Sequence, residues 1–153
     1  MTAARLAYVN LFARDIVALA GFYADLFGFA EIVAHRSPIY RCLDACGAEL
    51  GFNAAEAYAL LNLDSRRPAD AAVPPPLGAY FTIELDTAEA VDRVAADCSR
   101  LGGRVLKPPY LTYYNARQAV LADPEGNIFR ANHRIGLRTP YEALPPERKP
   151  LRD

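Results

Sequence analysis

The chain has 153 residues, 52 % of them apolar, with 17 basic and 18 acidic side chains and a net charge of −1. That length suits one domain with a sizeable core, and the balanced, scattered charge argues against a nucleic-acid partner. No apolar run approaches the roughly 20 residues that span a bilayer, and residues 1–14 lack a charged-then-apolar leader pattern, so a cytoplasmic protein with no membrane partner is expected.

Residues 5–13 (RLAYVNLFA) alternate with a strand period: Ala7, Val9, Leu11 and Ala13 on one face, Leu6, Tyr8, Asn10 and Phe12 on the other. The first set suits packing on a helix. The second is unusual for plain solvent exposure. Asp15 is placed to cap a helix that ends at Gly28, with Ile16, Leu19, Ala20, Tyr23 and Phe27 on one stripe. Three short strands are expected at 30–35, 39–43 and 49–53, then a helical stretch at 54–61. Residues 63–77 are polar and proline-rich, with three consecutive prolines at 74–76, and read as a linker.

The pattern then restarts. Residues 78–85 alternate again, with Phe81, Ile83 and Leu85 opposed to Tyr80, Thr82 and Glu84. The run Asp86-Thr87-Ala88-Glu89 resembles a capping box with Asp86 as the cap. A second helix carries Val91, Val94, Ala95, Cys98 and Leu101 on its stripe and stops at Gly102-Gly103, and strands follow at 104–107, 117–122 and 127–133. Residues 136–153 form a charged, proline-rich arm, expected on the surface or on a partner subunit. Residues 43–47 (LDACG) and 122–126 (ADPEG) are Asp-x-x-Gly turns that open the last strand of each half. Their recurrence marks an internal repeat of two βαβββ modules, 5–62 and 78–135, within one domain at 1–135. The cysteines, Cys42, Cys46 and Cys98, are odd in number and form no C-x-x-C pair, so reduced thiols are expected.

The opening Val9-Asn10-Leu11-Phe12-Ala13-Arg14-Asp15, followed by Phe22-Tyr23 and Phe27-Gly28-Phe29, resembles that of glyoxalase and bleomycin-resistance proteins. The turn Asp123-Pro124-Glu125-Gly126-Asn127, with Tyr114-Asn115-Ala116-Arg117 upstream, is similar to a second signature of the same group. The chain therefore resembles the vicinal oxygen chelate superfamily, which includes the glyoxalases, bleomycin-resistance proteins and dioxygenases, over roughly residues 5–133. The resemblance implies an α+β fold of two βαβββ modules, their sheets curled around a concave cavity commonly completed in a homodimer. It also implies a divalent metal held by His and Glu at four positions. Those positions here are Tyr8; Ala79 or Tyr80, with strand parity favouring Tyr80; Gly51; and Arg130. None is a ligand for a catalytic divalent ion, and Arg130 would repel one. The expectation is no metal and no cofactor.

By parity the cavity face carries Tyr8, Asn10, Phe12, Glu49, Asn53, Tyr80, Thr82, Glu84, Arg130 and Asn132, with Tyr114, Asn115 and Arg117 closing one end. Arg130 needs an anion, either Glu49 or Glu84 in a structural ion pair or a ligand's carboxylate, phosphate or enolate oxygen. Three functions fit this lining. One is a metal-free cavity that binds a small anionic or aromatic molecule. Another is a metal-independent isomerase, lyase or epimerase on a small carbonyl compound, with Arg130 stabilising an oxyanion and Glu49 or Glu84 as base. The third is a structural or regulatory dimer with a vestigial pocket.

Overall fold

The computed structural model describes residues 3–74 and 76–150. The chain forms two compact units that divide between Pro76 and Leu77, each built on its own open, four-stranded mixed sheet.

In the first unit, β1 (Tyr8–Phe12) leads through Asp15 into α1 (Ile16–Phe27). Asp15 Oδ1 accepts from the amides of Val17 and Ala18 at 3.0 and 2.9 Å, satisfying two of the helix's orphan donors. Gly28 ends the helix at φ 72°, a left-handed conformation that a Cβ disfavours. The helix buries Ile16, Leu19, Ala20, Phe22, Tyr23 and Leu26, and Tyr23 stacks on Phe52 of the sheet at 5.6 Å. The apolar stripe is wider than expected: Phe22 and Leu26 are buried, and Phe27 stays partly exposed. Strands β2 (Ala30–Glu31), β3 (Tyr40–Asp44) and β4 (Glu49–Asn53) complete the order β1-β4-β3-β2, with β1 parallel to β4. The strand expected at 30–35 is cut short. The amides of His35 and Arg36 bond back to Ile32 and Val33, winding Val33–His35 into a 3₁₀ turn, and Arg36 grips Glu31 at 2.6 and 2.7 Å. The helical stretch contracts to α2 (Glu56–Leu60).

The second unit repeats the plan with β5 (Phe81–Glu84), α3 (Ala88–Arg100), β6 (Arg104–Leu111), β7 (Ala116–Ala122) and β8 (Ile128–Arg134) in the order β5-β8-β7-β6. The cap of α3 is Thr87, not Asp86: Thr87 Oγ1 accepts from the Ala90 amide at 3.1 Å. Threonine supplies the hydroxyl of an ordinary N-cap, and with Ala90 at the third helical position the cap is this single bond rather than a capping box. Strand β6 extends well past Lys107, with register shifts between Val105 and Tyr110. It is an edge strand, and Pro108 and Pro109, which have no amide to donate, fall in the register shift between Lys107 and Tyr110.

The two Asp-x-x-Gly turns are alike in three dimensions. Asp44 Oδ1 accepts from the Cys46 amide at 2.9 Å, and Asp123 Oδ1 from the amides of Glu125 and Asn127 at 2.9 and 3.0 Å. The C-terminal arm folds back on its own unit. Leu144 is buried, Arg148 donates to the Tyr113 carbonyl at 3.3 Å, and Tyr141 meets Tyr113 edge-on.

Candidate functional site

The face of each sheet opposite its helix carries the polar and aromatic residues. In the second unit they form a cleft of about 480 Å³ lined by Thr82, Glu84, Tyr113, Tyr114, Gln118, Arg130, Asn132, Arg134, Gly136 and Arg138. Its floor is a connected hydrogen-bond network. Gln118 and Asn132 face each other across β7 and β8, both buried, and Gln118 Nε2 donates to Asn132 Oδ1 at 2.9 Å and to the Tyr114 hydroxyl at 2.7 Å. The Tyr110 hydroxyl donates to Gln118 Oε1 at 2.9 Å. Asn132 Nδ2 donates to Glu84 Oε2 at 2.6 Å, and the Arg134 amide donates to Glu84 Oε1 at 2.7 Å. Burial raises the Tyr110 phenol above its ordinary range, so it remains a donor.

Arg130 lies on this floor. Its Nε donates to Thr82 Oγ1 at 2.9 Å, and one terminal nitrogen reaches Gln118 Oε1 at 3.4 Å and the Tyr114 hydroxyl at 3.5 Å. The guanidinium sits 4.8 Å from the Tyr80 ring centre. All these partners are neutral. The ion pair expected with Glu84 does not form: among the described residues of the second unit no carboxylate pairs with Arg130, Arg134 or Arg138, and the Arg138 guanidinium lies 5.2 Å from the Tyr114 ring centre. Three arginines thus face one glutamate whose oxygens are already engaged.

Of the residues expected at the site, Thr82, Glu84, Tyr114, Arg130 and Asn132 line this cleft and Tyr80 underlies Arg130. Two others are placed differently. Arg117 points to the helix side of the sheet and pairs with Asp92 of α3 at 2.6 Å, which corrects its assignment to the cavity. Strand parity explains this, because Arg117 shares a face with Ala119 and Leu121 while Gln118 takes the cleft side. Asn115 sits at φ 67° in the turn before β7, its carbonyl accepting from the Ile135 amide. Gln118, Tyr113, Arg134 and Arg138 are cleft residues that sequence reasoning missed. Gln118 shares its strand face with Ala116 and Val120, and the polar Arg117 beside it on the other face left no signal to choose between them.

Tyr8, Asn10, Phe12, Glu49 and Asn53 share the corresponding face of the first unit. The ring of Phe12 stacks on Tyr58 at 3.7 Å, and the Tyr40 hydroxyl donates to Asn10 Oδ1 at 3.3 Å. Cys42 Sγ donates to Glu49 Oε2 at 3.3 Å, and burial, then this bond, push the Cys42 thiol up to about 11. His133 turns away from the cleft, its Nδ1 lying 2.8 Å from the Leu85 carbonyl.

Residues 5–130 match the family model described as the Glyoxalase/Bleomycin resistance protein/Dioxygenase superfamily. The chain belongs to that superfamily. Among solved structures it is similar to a glyoxalase/bleomycin resistance protein/dioxygenase family enzyme from Burkholderia phytofirmans PsJN, at 45 % identity and a TM-score of 0.78 over 85 % of this chain and 98 % of that one. A glyoxalase-related enzyme from Fulvimarina pelagi shares the fold at 21 % identity and a TM-score of 0.69, covering 86 % and 88 % of the two chains. Lactoylglutathione lyase from Agrobacterium tumefaciens does so at 19 % and 0.62, covering 87 % and 96 %. No curated protein matches the chain. Among the described residues no helix is long and apolar enough to cross a membrane.

The metal implied by the superfamily does not fit the four positions considered for it. Gly51 offers no ligand, and a Cβ there would collide with Asn10 Oδ1 and the Tyr40 hydroxyl, so a larger side chain is shut out. Arg130 puts a permanent cation at the equivalent position of the second unit, bonded to Thr82. Tyr8 and Tyr80 are phenols, about half exposed.

Proposed function

We propose that this superfamily member binds a small anionic molecule, carboxylate or phosphate in kind, in the metal-free cleft of its second unit. The observation that carries the reading is the excess of arginine: Arg130, Arg134 and Arg138 converge on a cleft with one carboxylate and no ion pair among the described residues. A guanidinium held by neutral donors and acceptors keeps its charge available, and an oxyanion in the cleft completes its hydrogen bonding. Tyr113 and Tyr114 add aromatic surface, which favours a ligand with a flat or apolar part beside its charge. Binding is favoured over catalysis in this cleft because its one carboxylate, Glu84, is tied into the floor by hydrogen bonds at both oxygens, from Asn132 and from the Arg134 amide.

The test is a thermal-shift and calorimetric screen of inorganic phosphate, small 2-oxo acids and aromatic carboxylates, in chelator, on the native chain and on Arg130→Gln. Charge-assisted hydrogen bonds contribute about 1.5–3 kcal/mol each, so the variant should bind the best ligand about 10- to 100-fold more weakly. Its Tm should stay close to native, because the partners lost are neutral and in the cleft. Equal affinity in Arg130→Gln would refute the assignment.

A further inference from the structure

The first unit brings together three side chains that the anion cleft does not use. His35 ends the 3₁₀ turn Val33–His35, Cys42 lies mid-β3, and Glu49 opens β4. One ligand atom from each lies within 4.8 Å of the other two. Glu49 Oε2 is 3.3 Å from Cys42 Sγ and 3.7 Å from His35 Nδ1. A tetrahedral zinc ion with ordinary Zn–S, Zn–N and Zn–O bonds sets its ligand atoms about 3.3–3.5 Å apart. Two of the three edges are therefore already close to the length that coordination needs, and small rotations of the exposed imidazole close the third.

We propose that His35, Cys42 and Glu49 form a binding site for a divalent ion of the zinc type, with a fourth coordination position open to solvent. This would give the chain a metal it is not expected to hold, at a place other than the four positions considered for the superfamily's ion. The donor set argues for the class of ion. A thiolate, an imidazole and a single carboxylate select zinc or cobalt over magnesium or calcium, which need several oxygens. The charges also close: a thiolate and a carboxylate balance a divalent cation. Without metal, the thiol proton bridges Cys42 Sγ and Glu49 Oε2 where the cation would sit, so binding releases that proton and replaces the hydrogen bond with two coordinate bonds. The backbone holds the geometry. Cys42 and Glu49 lie on the same face of paired strands, with Cys42 opposite Gly51 and Glu49 opposite Asp44. The Ile32 amide bonds the Cys42 carbonyl, which ties the turn carrying His35 to β3. The His35 side chain is 44 % exposed, so the metal is accessible from solvent.

The experiment titrates chelator-stripped native protein with Co2+, followed by Zn2+ competition, and reads stoichiometry and the near-ultraviolet thiolate-to-cobalt charge-transfer band. The expected result is one ion per chain, with the band displaced by Zn2+ and absent in Cys42→Ser. His35→Ala and Glu49→Gln should weaken the metal by more than about 100-fold, beyond the effect typical of groups that only support a ligand. Cys46→Ser and Arg130→Gln should leave band and affinity unchanged. If Cys42→Ser fails to fold, judged by circular dichroism, the His35 and Glu49 variants decide, because both side chains reach solvent. Absence of binding, a band that follows Cys46, or native affinity in His35→Ala would each overturn the site.

Discussion

Gly51→Ala measures how firmly the first unit has closed the position where the superfamily resemblance would place a carboxylate ligand. The new Cβ meets Asn10 Oδ1 and the Tyr40 hydroxyl well inside contact distance, and lies 2.9 Å from Tyr40 Cε2. Gly51 is buried between Asn10 of β1 and Cys42 of β3, so its backbone cannot retreat without disturbing two strand pairings. The relief available is rotation of the Asn10 and Tyr40 side chains together. That breaks the 3.3 Å bond from Tyr40 to Asn10, at about 0.5–1.5 kcal/mol, and adds overpacking strain of about 1–3 kcal/mol. A loss of about 2–3 kcal/mol is expected, which moves a urea midpoint down by roughly 1 M or more for a slope of 1–3 kcal/mol/M. Tyr40→Ala should be costly alone but should remove part of the cost of Gly51→Ala, the contact with Asn10 remaining, giving a clear coupling energy in the double-mutant cycle. The assay is urea unfolding followed by tyrosine near-ultraviolet circular dichroism. An unchanged midpoint in Gly51→Ala, or the same cost with and without the Tyr40 ring, would refute the claim that these side chains fill the space.

Glu84→Gln removes the cleft's negative charge, while its single amide oxygen retains one of the two hydrogen bonds accepted from Asn132 and the Arg134 amide, so phosphate affinity should rise by about 3-fold, the size of a unit-charge interaction across a solvated cleft; isothermal calorimetry reads it. Asp123→Ala removes bonds to two amides and to Asn127 Nδ2, and should lower unfolding stability by about 3 kcal/mol, with Asp123→Asn retaining part of it. Burial pushes the Cys98 thiol up to about 11. Its stabilising contribution is complete below the unfolded thiol's pKa near 9 and is lost as pH rises towards 11, on the order of 2 kcal/mol. Denaturation curves between pH 8 and 11 should therefore steepen downward in the native chain and flatten in Cys98→Ala.

Much of the fold was legible because its signals are local. Asp15 and Gly28 bracket α1 by capping chemistry, strict alternation marks β1 and β5, and the two Asp-x-x-Gly turns behave alike because an aspartate bonding the next amides is a property of a few adjacent residues. The shortened strand at residues 30–35 was not legible, because its end depends on amides folding back into a turn and on Arg36 reaching Glu31. The cleft was half legible. Parity alone put Thr82, Glu84, Arg130 and Asn132 on one face. It failed at β7, where both faces are largely apolar and buried, so nothing in the run ARQAVLA told Arg117 from Gln118.

The sequence by itself determined the repeated architecture and the lack of metal ligands at the four expected positions, since both rest on residue identity and short-range spacing. Only the tertiary structure decided what each charged group faces. It turned Arg117 to Asp92, left Arg130 among neutral partners, and set His35 beside Cys42 and Glu49. The physical reason is that a charge's partner is set by strand register and chain reversal over tens of residues, and a one-residue change of register reverses which face a side chain occupies.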